Sequence, residues 1–322
     1  MRILFAGTPA TAADSLRVLR DRLAGGDHEI VAVLTRPDAP LGRKRVLTPS
    51  PVAAAAGEAG LPVIKAARVD DDVRAQLADL DLDVAVVVAY GALVPAAALD
   101  VPRHGWLNLH FSLLPAYRGA APAQRAIIDG LTGTGASVFA LRTGLDTGPV
   151  YGTVTAPIGP DDTAADLLAA LTVSGTGLLA DVLGGLADGT ARATEQDGEV
   201  TLAPKLTLED GLLDWSHPAA ALDARSRGVT PEPGAWTTLD GQRVKLGPVR
   251  DAARPDLSGV KVPPAPEPGL VAAHGRSVLV GTGDGAVVLS TVQPAGRTPM
   301  PAADWWRGAQ HGQEVRLGRR EW

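Results

Sequence analysis

Residues 108–122 read NLHFSLLPAYRGAAP and place an amide, an imidazole, a hydroxyl, a guanidinium and two prolines directly after a short apolar segment. A loop leaving a strand end is where α/β proteins usually hold ligands, so Asn108, His110 and Ser112 are candidates for chemistry. A carboxylate follows in TGLDTGPV, residues 143–150, where Asp146 sits between glycines at what reads as another strand-end turn. With both loops on one edge of the sheet, the Asp146 carboxylate would favour an imidazolium. A charged ring beside an amide NH₂ then supplies two donors for a developing oxyanion. That equipment suits acyl transfer from a carbonyl donor to an incoming amine, without a covalent nucleophile. Plainer readings stay open at this point: a satisfied structural histidine, an asparagine bonding backbone in a bend, and an aspartate serving only a turn. Ser112 as a lone hydroxyl nucleophile is a further alternative, although no Gly-x-Ser-x-Gly elbow or lysine partner accompanies it.

The elements that must position these groups alternate between two periodicities. RILFAG (residues 2–7), HEIVAVLT (28–35), LPVIK (61–65) and DVAVVVAYG (83–91) are apolar runs of strand length, the last of the kind buried on both faces. Ala12, Leu16, Leu19 and Leu23 fall on one helical face, and further helices are expected over residues 51–59, 73–80 and 122–129. GWLNLH (105–110) and ASVFALR (136–142) complete a strand-helix alternation. The expected fold is therefore an α/β, Rossmann-like, mainly parallel sheet in an N-terminal domain of residues 1–189. TGTGAS (132–137) reads as a turn. Polar, turn-rich residues 190–205 read as a linker with one hairpin. After them, residues 206–322 carry a helix near 218–227 and short strands separated by Asp-Gly, His-Gly and Gly-Asp-Gly turns, the pattern of a smaller OB-like β-barrel.

Composition removes several function classes. The 322 residues are 45% hydrophobic and 20% charged, suited to two globular domains. With no cysteine, disulfides, thiolate nucleophiles and cysteine-bound zinc are out. The net charge of −6 lies wholly before residue 206, so any surface for a polyanion must be local. One such cluster is Arg43, Lys44 and Arg45 on a Gly/Pro-rich loop, which on its own is equally a solvated patch. Gly7-Thr8-Pro9 replaces the Gly-x-Gly-x-x-Gly of dinucleotide sites, and no Walker-type loop occurs, which argues against nicotinamide and NTP chemistry. The start lacks a signal layout, and no uninterrupted apolar run approaches the roughly 18–20 residues of a membrane span, so a cytoplasmic protein without a membrane partner is expected.

FAGTP, RPD, TPSPV, VVVAYG, NLHFSLLPAYRGAAP, GLDTG and VQPAGR together resemble the methionyl-tRNA formyltransferases over nearly the whole chain. Asn-x-His, Ser-Leu-Leu-Pro and Asp-Thr-Gly belong to a wider family of folate-dependent formyltransferases, so those three alone do not fix the acceptor. The resemblance implies formyl transfer from 10-formyltetrahydrofolate to the methionine amino group on initiator methionyl-tRNA, by a monomer and without a metal. It implies catalytic roles for Asn108, His110 and Asp146. It puts the folate-binding loop at Ser112, Leu113, Leu114 and Pro115, and the pterin pocket along Val88, Ala89, Tyr90 and Gly91. Arg43, Lys44 and Arg45 then become tRNA contacts, and the C-terminal barrel a second tRNA surface to which Lys205, Arg297, Arg307, Arg316, Arg319 and Arg320 would contribute. The alternatives are a folate-dependent formyltransferase acting on an amino-sugar nucleotide, and a non-catalytic RNA-binding relative. Phe111, Thr11 and Val229-Thr230 depart from the family pattern outside the catalytic set.

Overall fold

The computed structural model describes residues 1–42, 44–259, 267–275, 277–309 and 314–318. Arg43, Arg319 and Arg320, named above as candidate contacts, lie outside the described residues. Contacts divide the chain into two compact units, one of residues 1–122, 133–157 and 168–204, the other of 123–132, 158–167 and 205–322.

The first two-thirds of the chain runs β1 (Arg2–Gly7), α1 (Ala10–Leu23), β2 (Glu29–Thr35), β3 (Ala39–Leu41), β4 (Val46–Thr48), α2 (Pro51–Glu58), β5 (Val63–Lys65), α3 (Asp71–Ala78), β6 (Val84–Val88), α4 (Ala96–Leu99), β7 (Trp106–His110), α5 (Pro122–Ile128), β8 (Gly133–Ala140), β9 (Val150–Pro157) and α6 (Ala164–Ala187). Helix starts follow local chemistry. Ser50 caps α2 by accepting from the Ala53 amide at 3.0 Å, with Pro51 in the first turn; Asp70 caps α3 by accepting from Val73 at 3.1 Å.

Seven strands form one sheet in the order β5-β2-β1-β6-β7-β8-β9. The first five are parallel, as the apolar runs predict, and β6 is buried along its whole length. The order reverses between β1 and β6, the kind of switch point beside which α/β folds hold ligands. β8 and β9 depart from the parallel expectation: both pairings, β7 with β8 and β8 with β9, are antiparallel. The TGTGAS stretch, expected as a turn, lies mostly within β8.

The two faces of β7 and β8 have different fates. Leu109 and Ala136 lie against Gly175 of α6, so that face is core. Helix α6 is by length and composition apolar enough to cross a bilayer, although Asp166 and Asp181 interrupt its apolar run. It is half-buried and packs as a core helix, with Leu171, Leu179 and Leu183 wholly enclosed. The opposite face carries Asn108 and His110, paired in register with Phe139 and Ser137.

The second unit contains α7 (Ala219–Gly228), β10 (Ala235–Leu239), β11 (Gln242–Leu246), β12 (Arg250–Asp251), β13 (Val271–His274), β14 (Ser277–Gly281), β15 (Ala286–Leu289), β16 (Thr291–Gln293), β17 (Met300–Pro301) and α8 (Ala302–Ala309). Its strands make two antiparallel sheets, β10-β11-β16-β17 and β12-β15-β14-β13, around one core that includes Val244, Val280, Val287, Val292 and Trp215. The smaller all-antiparallel unit thus matches the fold class read from its turn spacing. Val229, one of the departures noted above, is wholly buried in that core.

Candidate active site

Asn108 projects from β7 beside β6, with Val87 its register partner. It is partly exposed, and its amide finds no hydrogen-bond partner among the described residues. Two residues on, the His110 ring is enclosed, with 7% of the side chain exposed. Its Nε2 lies 2.9 Å from the Tyr117 carbonyl. A carbonyl only accepts, so Nε2 carries the hydrogen, and Nδ1 is the nitrogen whose protonation can change. Nδ1 faces Asp146 Oδ2 at 3.8 Å, while the edge of the Phe139 ring stands 6.3 Å away, centroid to centroid.

Asp146 reaches this position by a route the sequence does not suggest. Because β8 is antiparallel, its last residues pair near Leu107, at the opposite end of β7 from His110, and residues 141–149 must fold back over the face of the sheet. The span to be recovered is three residues of strand, roughly 10 Å. Close approach makes this possible: a Cβ on Gly148 would lie 1.6 Å from the Ala140 carbonyl oxygen. Asp146 itself sits at φ 51°, in the left-handed region uncommon for a side-chain-bearing residue. Its Oδ2 accepts the Gly119 amide at 2.7 Å.

Burial pushes the His110 imidazole below its ordinary value, and this outweighs the Asp146 carboxylate and the Tyr117 carbonyl, which both favour the charged ring. The balance leans toward the neutral ring. The sequence reading counted the carboxylate, which does favour the charged ring, but could not see the enclosure that opposes it.

The remaining sequence candidates surround this centre in different ways. Ser112 is completely buried, and its hydroxyl donates to the Ala116 carbonyl at 2.6 Å, closing the loop instead of facing solvent. Ser137 knits the same loop to β8 by donating to the Ser112 carbonyl at 2.7 Å and accepting from the Leu114 amide at 3.1 Å. Leu113 seats its side chain over Gly135, where a Cβ would stand 2.5 Å from Cδ2. Leu114 is half-buried, and Pro115, joined to it by a cis bond, is buried. At the end of β6, Val88 is enclosed and Tyr90 is a core residue whose hydroxyl donates to the Ala66 carbonyl at 2.9 Å. Thr8 donates to the Tyr90 carbonyl at 2.7 Å and Arg36 to that of Gly91 at 2.8 Å, while Ala89 and Gly91 stay exposed.

Lys44 and Arg45 are exposed between β3 and β4, which form a two-stranded ribbon where the sequence suggests a loop. Leu41, Val46 and Leu47 beside them are more than half exposed. Of the C-terminal cations, Arg316 is engaged by Glu267 at 2.6 Å and Glu314 at 2.8 Å, and Arg307 pairs with Asp304.

Several residues at the site escape a sequence reading. The stretch after α6, expected as a linker with a hairpin, instead runs along the two site loops. Thr194 bridges Val150, Leu202 bridges Arg118, and Thr201 Oγ1 accepts the Tyr117 amide at 2.8 Å. Gln196 Nε2 donates to the carbonyls of Asp146 and Gly148, both at 2.8 Å, and Gln196 Oε1 accepts from Arg118 at 2.6 Å. The only signal was Arg118 and Gln196 as long polar side chains in loop context. A cavity of about 320 Å³ opens at the other end of β7, lined by His104, Trp106, Leu141 and Arg142 among others, and it includes none of Asn108, His110 or Asp146. Among the described residues no three His, Asp or Glu side chains gather as a metal site would need.

Chemically, the arrangement offers an open amide donor next to a protonatable ring that is backed by a carboxylate. Comparison with known proteins agrees with that chemistry. Residues 1–183 match the family model described as formyl transferase, and residues 205–310 that of the formyl transferase C-terminal domain. A methionyl-tRNA formyltransferase of Paenarthrobacter aurescens is 60% identical over 308 residues, covering 96% of this chain and 97% of that one. Another from an Arthrobacter species is 59% identical over the same length, again covering 96% and 97%. Among solved structures, an N-formyltransferase of Helicobacter canadensis, in complex with folinic acid and dTDP-3-aminofucose, aligns with a TM-score of 0.64 at 15% identity, covering 91% of this chain and 98% of that one; at this identity the likeness concerns the fold alone.

Proposed function

The chain belongs to the methionyl-tRNA formyltransferases, and from that premise we infer that it transfers a formyl group from 10-formyltetrahydrofolate to the free amino group of methionine on initiator tRNA, through Asn108, His110 and Asp146. The observation that carries the reading of the site is the buried ring of His110, held between the Tyr117 carbonyl and the Asp146 carboxylate, two residues from an Asn108 amide that has no hydrogen-bond partner among the described residues.

Each group has a distinct task. As the amine nitrogen adds to the formyl carbon, the formyl oxygen gains negative charge, and the Asn108 NH₂ donates to it. The proton leaving the amine goes to His110 Nδ1. The ring thereby becomes cationic only as the oxyanion forms, so its field stabilises the transition state more than the ground state. Asp146 steadies that imidazolium. When the carbon–nitrogen bond of the donor breaks, the proton held by His110 passes to the departing nitrogen and the ring returns to neutral.

The folate is placed on the strand-end side, where Ala89 and Gly91 offer exposed backbone edges and Leu113 and Leu114 a half-buried apolar wall. Lys44 and Arg45 on the ribbon, with Arg43, are assigned to tRNA phosphates. Residues 1–189 are read as the catalytic domain, 190–205 as the connecting segment and 206–322 as the tRNA-binding domain. Action as a monomer belongs to the same reading, and the translation role supports a cytoplasmic location.

The test is direct. Purified protein with 10-formyltetrahydrofolate is offered either methionyl initiator tRNA or a dTDP-linked amino sugar. Formylation of the tRNA-borne methionine alone is expected; a preference for the amino sugar would overturn the assignment.

A further inference from the structure

We propose that residues 194–203 form a positioning brace for the active site, with Gln196 as its central residue and Arg118 and Thr201 its supports. The proposal rests on the roles assigned above to His110 and Asp146. Residues 194–203 follow the stretch that matches the N-terminal family model and precede the one that matches the C-terminal model.

Both ring nitrogens of His110 are addressed by residues in an unfavourable backbone conformation. Tyr117, whose carbonyl takes Nε2–H, has φ 58°, and Asp146, whose carboxylate faces Nδ1, has φ 51°. A side-chain-bearing residue adopts this region only where its surroundings fix it, at a cost of order 1–3 kcal/mol. Besides the Gly119 amide on Asp146, one segment supplies the backbone and side-chain bonds around both residues. Thr201 Oγ1 accepts the Tyr117 amide at 2.8 Å, and the Thr201 carbonyl accepts the Arg118 amide at 2.9 Å. Ala203 completes the ladder by donating to the Arg118 carbonyl at 2.7 Å and accepting from Ala121 at 3.1 Å. On the other side, Gln196 Nε2 grips the carbonyls of Asp146 itself and of Gly148.

The direction of the Gln196 amide is set by its neighbour. Arg118 has only donors, and it reaches Gln196 Oε1 from Nε at 3.2 Å and from a terminal nitrogen at 2.6 Å. That leaves Nε2 for the two carbonyls, which can only accept. Arg118 stands next to Tyr117 in the chain, so Gln196 ties the Tyr117 and Asp146 arms of the site together a second time, beside the Gly119 amide that Asp146 Oδ2 accepts. A glutamate at this position would still pair with Arg118 but would present oxygen to two carbonyls, which is why a merely polar residue does not suffice.

The experiment compares Gln196→Met and Thr201→Val with wild type in the full chain. For Gln196→Met, kcat is expected to fall roughly 10- to 100-fold, because small misplacements of catalytic groups carry large rate losses, while KM for both substrates stays within about threefold. The His110 ring resonance should titrate at lower pH than in wild type, since a displaced Asp146 no longer favours the charged ring. In an Asp146→Asn background the same Gln196 change should cost little more. Thermal unfolding identifies any variant that fails to fold, and Thr201→Val then carries the kcat and titration readouts. Unchanged kcat in both folded variants, an unmoved His110 titration, or an undiminished loss in the Asp146→Asn background would each overturn the brace. Full activity in Asp146→Asn alone would instead sink the site assignment beneath it.

Discussion

His110 is most informative for what burial does to it. Enclosure lowers its affinity for a proton, and the neutral ring is the form that can accept one during the reaction. The acid limb of the kcat/KM profile is accordingly expected below the ordinary histidine value of about 6.5, with activity lost as pH falls through it. Asp146→Asn should move that limb further down; a limb above 6.5 in wild type would contradict the neutral resting state. Replacing His110 by Gln should cost roughly 10²–10⁴ in single-turnover rate, and Asn108 by Ala roughly 10²–10³, both with tRNA affinity unchanged in a filter-binding assay. At this scale the sequence was half legible. Residue types and their clustering pointed to oxyanion chemistry, but the charge state of the ring depends on how many atoms surround it, which spacing alone does not encode.

Among elements, the placement of Asp146 depends on strand direction and on one close approach. Gly148→Ala forces a Cβ into the Ala140 carbonyl, which must displace the loop that carries Asp146. A loss of about 1–3 kcal/mol in denaturant unfolding is expected, with a fall in kcat larger than that of a distant glycine substitution. The ribbon of β3 and β4 makes a separate prediction. Replacing Lys44 and Arg45 with Ala should weaken tRNA binding and lower the slope of log affinity against log salt by roughly two; equal loss at all salt concentrations would argue against phosphate contacts. The buried strands β1, β2 and β6 were readable because a run apolar on both faces has few alternatives. The antiparallel course of β8 was not, since direction is set by its neighbour and not by its own residues. Helix α6 also escaped, its Ala, Leu and Gly giving little contrast between faces. Residues 194–203 read as a linker because side chains that bond to loop backbone look, in sequence, like side chains that face water.

For the molecule as a whole, the enclosed histidine links stability to pH. Below about pH 6.5 the unfolded chain takes up a proton at this position that the folded chain resists, so the stabilisation present at neutral pH is lost as pH falls toward the lowered folded value. The melting temperature of wild type should therefore drop more steeply below pH 6.5 than that of His110→Gln. Parallel slopes would show that burial does not govern this ring. The central claim is that His110 and Asp146 act as one unit on the proton of the attacking amine. Single-turnover formylation rates of His110→Gln, Asp146→Asn and the double variant test it most directly. Groups that work together lose their effect together, so the double variant should be no slower than the slower single variant; losses that multiply would contradict the account.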